Sequence, residues 1–128
     1  MKKLVSAVIM LCVCISANAT CTRADLTGTW VVYSSGAYAD AERCQLIIPA
    51  KGSSFSASCY RANGVTSSAT VSITQFDSTC HFISQFVSPT DSTVVDAFVS
   101  KGKDSMSGMW IETVSNGIYS GSFNGSKQ

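Results

Sequence analysis

Few side chains in this sequence are able to do chemistry, and two of them are adjacent. His81 is the only histidine in the chain, and it directly follows Cys80. A thiolate beside an imidazole could form a nucleophile with its base, and a Ser-His-Asp arrangement would need His81 beside a serine and an acid. No G-x-S-x-G, C-x-x-C or H-x-x-x-H spacing accompanies the pair. We therefore predict a protein that is not an enzyme, with no catalytic residues, no metal and no other cofactor.

The first nineteen residues have the pattern of a secretory signal peptide. Two lysines form a basic start, Leu4–Ile15 is an apolar run, and residues 17–19 read Ala-Asn-Ala, a small-residue cleavage site. We expect the segment 1-19 to be removed and the segment 20-128 to form one β-barrel domain. That domain would be secreted or periplasmic, with no membrane association after cleavage.

Loss of this segment changes the charge and the cysteine count. The nine basic residues lose two lysines, so seven remain against eight acidic residues. No basic run indicates nucleic acid or anionic lipid as a partner. Four cysteines remain, and in an oxidising compartment they predict two disulfide bonds. They are Cys21, Cys44, Cys59 and Cys80.

Short alternations of apolar and polar residues recur along the rest of the chain, and turn residues separate them. This pattern is typical of a β-sandwich or a β-barrel. Because hairpins would join the strands in sequence and closure removes exposed edges, we predict an all-β fold. It is a single antiparallel up-and-down β-barrel of about eight strands, stabilised by disulfides. The candidate strands are Gly28–Ser34, Arg43–Ile48, Ser54–Arg61, Ser67–Gln75, His81–Val87, Thr93–Ser100, Ser107–Val114 and Ile118–Asn124, with the longest loop over Gly36–Glu42.

Hairpin geometry predicts which side chains share the barrel interior. A two-residue turn at 116–117, the favoured Asn-Gly pair, places Trp110 opposite Phe123. A two-residue turn at 102–103 places Val95 opposite Trp110. The two turns agree on one apolar, inward face. Its members are Val95, Ala97, Val99, Met106, Trp110, Val114, Tyr119 and Phe123.

A third turn, at 51–52, brings two cysteines face to face. It places Cys44 opposite Cys59, within bridging distance, and pairs Cys21 with Cys80 by elimination among three possible connectivities. At Asn63-Gly64 a two-residue turn would put the next strand in the wrong register, so a three-residue loop or a bulge is expected there. The inward set of that next strand is Val65, Ala69, Val71 and Ile73, while the strand after it is ambiguous as to face.

Glu112 is the most informative polar residue, because the register turns it inward with Thr93 on one side and Gly121 on the other. In one interpretation its carboxylate orients a small ligand inside an apolar barrel. In the interpretation that we favour, it lies near a strand end and reaches water at the barrel mouth. A buried, unpaired carboxylate would be costly and would need a partner.

The opposite face of these strands is less polar than a free surface. Val94, Phe98, Met109 and Ile111 point outward by the same register. Such a patch often marks a protein partner or self-association. The alternative is a set of scattered apolar surface residues, which is normal.

Two families resemble parts of this sequence. The run Leu-Thr-Gly-Thr-Trp at 26–30 resembles the first strand of the calycin barrels, the lipocalins and avidins, and implies a small ligand in the barrel mouth. The same run, followed by Cys-Gln-Leu-Ile-Ile at 44–48 and by Cys59, is similar to small periplasmic barrel inhibitors of bacterial metalloproteases. That second resemblance implies a bridge between Cys44 and Cys59. It also implies an N-terminal segment that enters the protease cleft, here Thr20, Cys21, Thr22 and Arg23.

We therefore expect an exported, non-enzymatic barrel that acts by binding a protein, and a protease inhibitor is the form of this that we place first. The alternative is a lipocalin- or avidin-like carrier that holds a small apolar ligand in the barrel interior. An interior cavity reaching Glu112 favours the carrier. A filled interior with a projecting N-terminal arm favours the inhibitor.

Overall fold

The computed structural model describes residues 20–36 and 41–128 and contains eight strands and one short helix. The expected signal peptide at 1–19 lies outside the described residues, as do residues 37–40 of the expected loop. All eight predicted strands are present. The elements are α1 (Arg23–Leu26), β1 (Gly28–Gly36), β2 (Glu42–Ile48), β3 (Ser54–Arg61), β4 (Thr66–Phe76), β5 (His81–Val87), β6 (Asp91–Val99), β7 (Ser105–Val114) and β8 (Gly117–Lys127).

The strands form a closed antiparallel barrel in which each strand pairs with its neighbours in sequence. Closure is made by β1, which pairs with β2 on one side and with β8 on the other. The predicted up-and-down barrel is thereby confirmed. Because every strand has two partners, no edge is left with unpaired backbone groups. Across the described part of the chain, no helix combines the length and apolar character that a membrane crossing requires.

Helix α1 closes one end of the barrel, which we call the floor. Leu26 and Trp30 are fully buried there, and the indole Nε1 of Trp30 donates to the Leu26 carbonyl at 2.9 Å. The Nζ of Lys127 lies 5.4 Å from the centre of the Trp30 ring and donates to the Asp25 carbonyl at 3.0 Å. The last strand is thereby fastened to the helix. A helix of four residues is too short for an apolar stripe, so the sequence pattern did not reveal it.

The core fills the half of the barrel next to the floor. Alternate residues of each strand point inward, as the pleat requires. The buried apolar side chains packed together are Cys21, Leu26, Trp30, Val32, Cys44, Ile48, Phe55, Val71, Cys80, Phe82, Ala97, Val99, Met106 and Phe123. Trp110 and Val95 are partly buried against this cluster.

Two of the predicted hairpin registers are confirmed. Val95 pairs with Trp110 across β6 and β7, and Cys44 pairs with Cys59 across β2 and β3. Between β3 and β4 the backbone N–H of Arg61 donates to Val65, which leaves the expected three-residue loop at 62–64. Gly64 in that loop has a φ of +84°, a conformation that glycine adopts without steric cost.

The predicted register of the last hairpin is wrong by two residues. Trp110 pairs with Gly121 rather than with Phe123, and Gly108 pairs with Phe123. The turn falls one residue earlier than expected, because Val114 already pairs with Gly117. A shift of two preserves the faces, so Trp110 and Phe123 both still point inward. Each large ring thus lies opposite a glycine, an alternation of large and small residues that the narrow interior favours.

The structure corrects the prediction for Val65 and shows which face of β5 points inward. Val65, expected inward, precedes β4 and is 49% exposed, since the strand has not yet begun there. On β5, whose face was ambiguous, Phe82 and Ser84 point inward and are buried, whereas Val87 is exposed. A register shift between Ile73 and Gln75 of β4 accompanies this pairing.

Both predicted disulfide bonds are present. Cys44–Cys59 joins directly opposed residues of β2 and β3, with Cα atoms 4.0 Å apart. Cys21–Cys80 joins the segment before α1 to the loop before β5, across 59 residues of sequence. Two disulfides are consistent with an oxidising compartment.

Candidate functional site

The barrel encloses a cavity of about 230 Å³ in the half that lies away from α1. Its position follows from its walls, which include the end of β1, the start of β2 and the end of β3, all opposite the floor. The lining is mostly apolar, with polar groups near the mouth. The lining residues are Val32, Ser34, Ser35, Gly36, Glu42, Cys44, Leu46, Phe55, Ala57, Cys59, Arg61, Val71, Phe82, Ser84, Thr93, Val95, Trp110, Glu112 and Phe123.

The bottom of the cavity is made by buried aromatic and aliphatic side chains of the core. Phe55, Val71, Phe82 and Phe123 all line it and are each less than a tenth exposed. Their inward positions follow from the alternation of each strand. Because these side chains fill only the floor half, the interior is closed below and hollow above.

Trp110 forms one wall, and two glycines make room for it. A Cβ added at Gly121 would lie 2.5 Å from Cζ2 of the indole, and one added at Gly36 would also lie 2.5 Å from that atom. Real Cβ atoms do not approach so closely, so the ring occupies the space that side chains at these positions would take. The indole therefore lies against the β8–β1 seam, where Gly36 pairs with Gly121.

Three ionisable side chains line the mouth, and two of them neutralise each other. Glu42 and Arg61 pair across β2 and β3, and their carboxylate and guanidinium groups are 3.3 Å apart. Glu112 also lines the cavity and is half-buried. Among residues 20–36 and 41–128, no hydrogen bond or ion pair reaches the Glu112 carboxylate. Of the described acidic residues that line the cavity, Glu112 is thus the one without a cationic partner.

Glu112 occupies the position that the 102–103 turn predicted. Thr93 lies directly opposite on β6, and Tyr119 rather than Gly121 is its partner on β8. Glu112 therefore lines the cavity at its mouth. This position is compatible both with a carboxylate that orients a ligand and with one that reaches water.

Two buried polar atoms beside the cavity have no hydrogen-bond partner within the described residues. They are Ser84 Oγ and Trp110 Nε1, and both residues line the cavity. Buried polar groups are nearly always hydrogen-bonded, so each such group calls for an explanation. An indole N–H can only donate, whereas a hydroxyl can donate or accept.

The Cys44–Cys59 bond forms part of the cavity wall beside Glu42. The carboxylate and both sulfur atoms lie within 4.8 Å of one another, a spacing that would suit a metal ion. The two sulfurs are bonded to each other, however, and a disulfide cannot supply the thiolate ligands that such a site requires. This cluster is therefore structural in the oxidised protein.

The N-terminal residues predicted to form an inhibitory arm are instead tied to the floor. Cys21 is bonded to Cys80, and its backbone N–H donates to Ser78 at 2.9 Å. Thr22 caps α1 through Asp25, and Arg23 is the first residue of the helix and donates to the Gly52 carbonyl at 3.3 Å. Thr20, just before them, is exposed. These residues lie at the opposite end of the barrel from the cavity.

The predicted outward patch is exposed as expected. Phe98 is 53% exposed and Met109 is 60% exposed, and both lie with Val94 and Ile111 on the outer face of β6 and β7. His81 stacks on Phe98 with ring centres 4.5 Å apart, and its Nε2 lies 2.7 Å from Asp96. Cys80, next to His81, is disulfide-bonded and carries no free thiol.

Some residues of the cavity escaped the sequence interpretation, although a signal for them existed. Extending the 51–52 hairpin by one more inward pair would have placed Glu42 opposite Arg61 at the mouth. Ser84 was missed because the face of its strand was ambiguous. Gly36 carries no side chain and gave no signal.

Comparisons with known proteins place no constraint on this site. No protein-family model matches the sequence, and no curated protein matches it. The resemblances to calycin barrels and to metalloprotease inhibitors therefore stay predictions.

Proposed function

We propose that this protein binds a small molecule inside the barrel, in the cavity bounded by Trp110 and Glu112. The observation that carries the proposal is a hollow interior with a closed floor and a polar mouth. Small-molecule sites are concave, mainly apolar and furnished with a few polar groups. The volume exceeds the roughly 150 Å³ of an engineered cavity that binds benzene.

The tethered N-terminal segment favours this function over protease inhibition. The inhibitor interpretation needs residues 20–23 as a free arm, yet Cys21 is bonded to Cys80 and Arg23 begins α1. Together with the disulfides, a signal peptide would make the protein a secreted or periplasmic carrier. No chemical step is assigned to it.

Binding is tested with 2-naphthol, a small fluorescent aromatic molecule that is neutral near neutral pH. We expect saturable binding to the exported protein with both disulfides formed. Replacing Val95→Phe fills part of the cavity and should weaken binding about tenfold or more, a loss of about 1.4 kcal/mol. Val94→Phe adds the same bulk to the adjacent, outward position and should leave binding unchanged.

Two results would count against the proposal. One is the absence of saturable binding by the native protein. The other is an equal loss in both variants while far-ultraviolet circular dichroism shows both to be folded. The paired design separates occupation of the interior from general adhesion of an aromatic molecule to the surface.

The outward patch supports a second candidate function, the binding of a protein partner. Phe98 and Met109 are both more than half exposed on neighbouring strands, and large apolar patches on soluble proteins often mark interfaces. The test is a pull-down of the protein from its own secretome followed by titration of each captured protein. Phe98→Ser with Met109→Ser should abolish the titrated binding, whereas Val95→Phe should not.

A further inference from the structure

We infer that the ligand of this cavity is a small amphipathic amine, with a ring-sized apolar body in the barrel and a protonated amino group beside Glu112. This inference rests on the proposed function and deepens it. The chemical class follows from the charges of the mouth, the composition of the walls and the size of the interior.

The charged side chains that line the mouth differ in whether they already have a partner. Arg61 is the only cationic residue that lines the cavity among the described residues, and its guanidinium is 3.3 Å from the Glu42 carboxylate. Glu112 has no such partner within residues 20–36 and 41–128. An entering ammonium group therefore meets an unmatched carboxylate. An entering carboxylate group would meet a net negative mouth and an arginine that is already paired.

Half-burial makes this carboxylate a stronger recognition group than one on the open surface. Glu112 lies in a wall with Trp110 two residues before it on β7 and Val95 and Thr93 on the facing strand. Electrostatic attraction rises as the effective dielectric constant falls from that of bulk water towards that of a protein boundary. A ligand that seals the mouth would exclude water from the contact and strengthen it further.

The walls define the rest of the molecule. Below the mouth the lining is apolar on most sides, with Phe55, Phe82 and Phe123 at the bottom. About 230 Å³ accommodates one ring system with a short side chain rather than a long lipid tail.

Three matched compounds test this chemistry by isothermal titration calorimetry. The first is 2-(4-methoxyphenyl)ethylamine, which carries a cationic head and an ether oxygen. The second, 2-(4-methoxyphenyl)ethanol, replaces the cation with a neutral hydroxyl, and the third, 3-(4-methoxyphenyl)propanoate, replaces it with an anion. We expect the amine to bind about tenfold or more tightly than the alcohol, a difference of about 1.4 kcal/mol. The anion should bind more weakly than the alcohol.

The variant Glu112→Gln assigns that selectivity to the carboxylate. Glutamine has nearly the same size but no charge, so the amine should lose its advantage while the alcohol binds as before. Asp104→Asn removes a charge from the opposite end of the barrel, where Asp104 accepts a hydrogen bond from Ser100. It should leave the selectivity intact.

The outcomes distinguish this inference from the proposed function. If the amine and the alcohol bind equally, or if the Glu112→Gln variant keeps the preference for the amine, the amine class is wrong while an interior site stands. If none of the three compounds and no 2-naphthol binds, the interior site itself is refuted. If the anion binds most tightly, Arg61 rather than Glu112 is the recognition group and the inference is overturned.

Discussion

The Trp110 ring and the backbone of Gly121 lie face to face across β7 and β8, with no room for a side chain between them. A Cβ at residue 121 would be 2.5 Å from Cζ2 of the indole and only 2.1 Å from the carbonyl oxygen of Ser35. This contact fixes the register of the last hairpin and the position of one cavity wall. It gives the first prediction.

Replacing Gly121→Ala should destabilise the protein by about 1–3 kcal/mol, the usual cost of overpacking. The strain arises because the backbone carbonyl of Ser35 cannot move away without disturbing β1. Urea denaturation measures the loss. Gly117→Ala in the same strand is the matched control, since its Cβ would meet Tyr119 at an ordinary 3.5 Å. Equal losses in the two variants would contradict the contact.

A buried hydrogen bond from the Trp30 indole to the Leu26 carbonyl stabilises the floor of the barrel. Trp30→Phe removes the donor and leaves that carbonyl unpaired in the core, which should cost about 1–3 kcal/mol beyond the loss of ring volume. Trp110→Phe is the control for volume, because its Nε1 has no partner to lose among the described residues. A Trp30 variant that is no less stable than the Trp110 variant would refute this role.

The two disulfide bonds should contribute unequally to stability. By the chain-entropy model, a bond across 15 residues contributes about 3 kcal/mol and one across 59 residues about 4 kcal/mol. Replacing Cys21 and Cys80 together by alanine should therefore lower the unfolding midpoint more than replacing Cys44 and Cys59 together. Thermal unfolding of the two double variants measures the order. The reverse order would show that the bond in the cavity wall has a role beyond constraining the unfolded chain.

Acid should destabilise the floor through two aspartates. The pKa of Asp25 is held below its ordinary value by the backbone N–H of Thr22, and the pKa of Asp77 is held below its ordinary value by the hydroxyl of Thr79. Both groups favour the ionised form in the folded state. Their contribution is therefore complete above the unfolded pKa of about 3.9 and is lost as the pH falls through the lower folded values.

Denaturation midpoints measured from neutral pH down into this acid range test the prediction. The midpoint should fall below about pH 4 in the native protein. It should fall less steeply in a variant with Asp25→Asn and Asp77→Asn. The same slope in both proteins would mean that other groups determine the acid response.

Much of the barrel could be predicted from the sequence because alternation is a local property. The strands Ser54–Arg61 and His81–Val87 were predicted with their exact bounds, and the turns at 51–52 and 102–103 gave the observed pairing. The last hairpin failed for a reason that lies outside local pattern. Asn116-Gly117 favours a tight turn, but Trp110 needs a glycine opposite, and that tertiary demand moved the turn by one residue.

The candidate site was predictable only in part. Hairpin register and strand alternation predicted that Glu112 and Trp110 point inward. Their position in the cavity wall agrees with that prediction. The cavity could not be predicted, because the alternation of residues along a strand shows which side chains point inward but not whether those side chains fill the barrel interior. The short helix α1 was also missed, because four residues carry no apolar stripe and its attachment to the barrel depends on long-range contacts such as that from Lys127 to Asp25.

The most direct test of the central claim is a crystal structure of the protein with 2-(4-methoxyphenyl)ethylamine. The account predicts electron density for the ring inside the barrel against Trp110, with the amino nitrogen within hydrogen-bonding distance of the Glu112 carboxylate. An interior filled by side chains, or a compound bound only on the outer face near Phe98 and Met109, would contradict it.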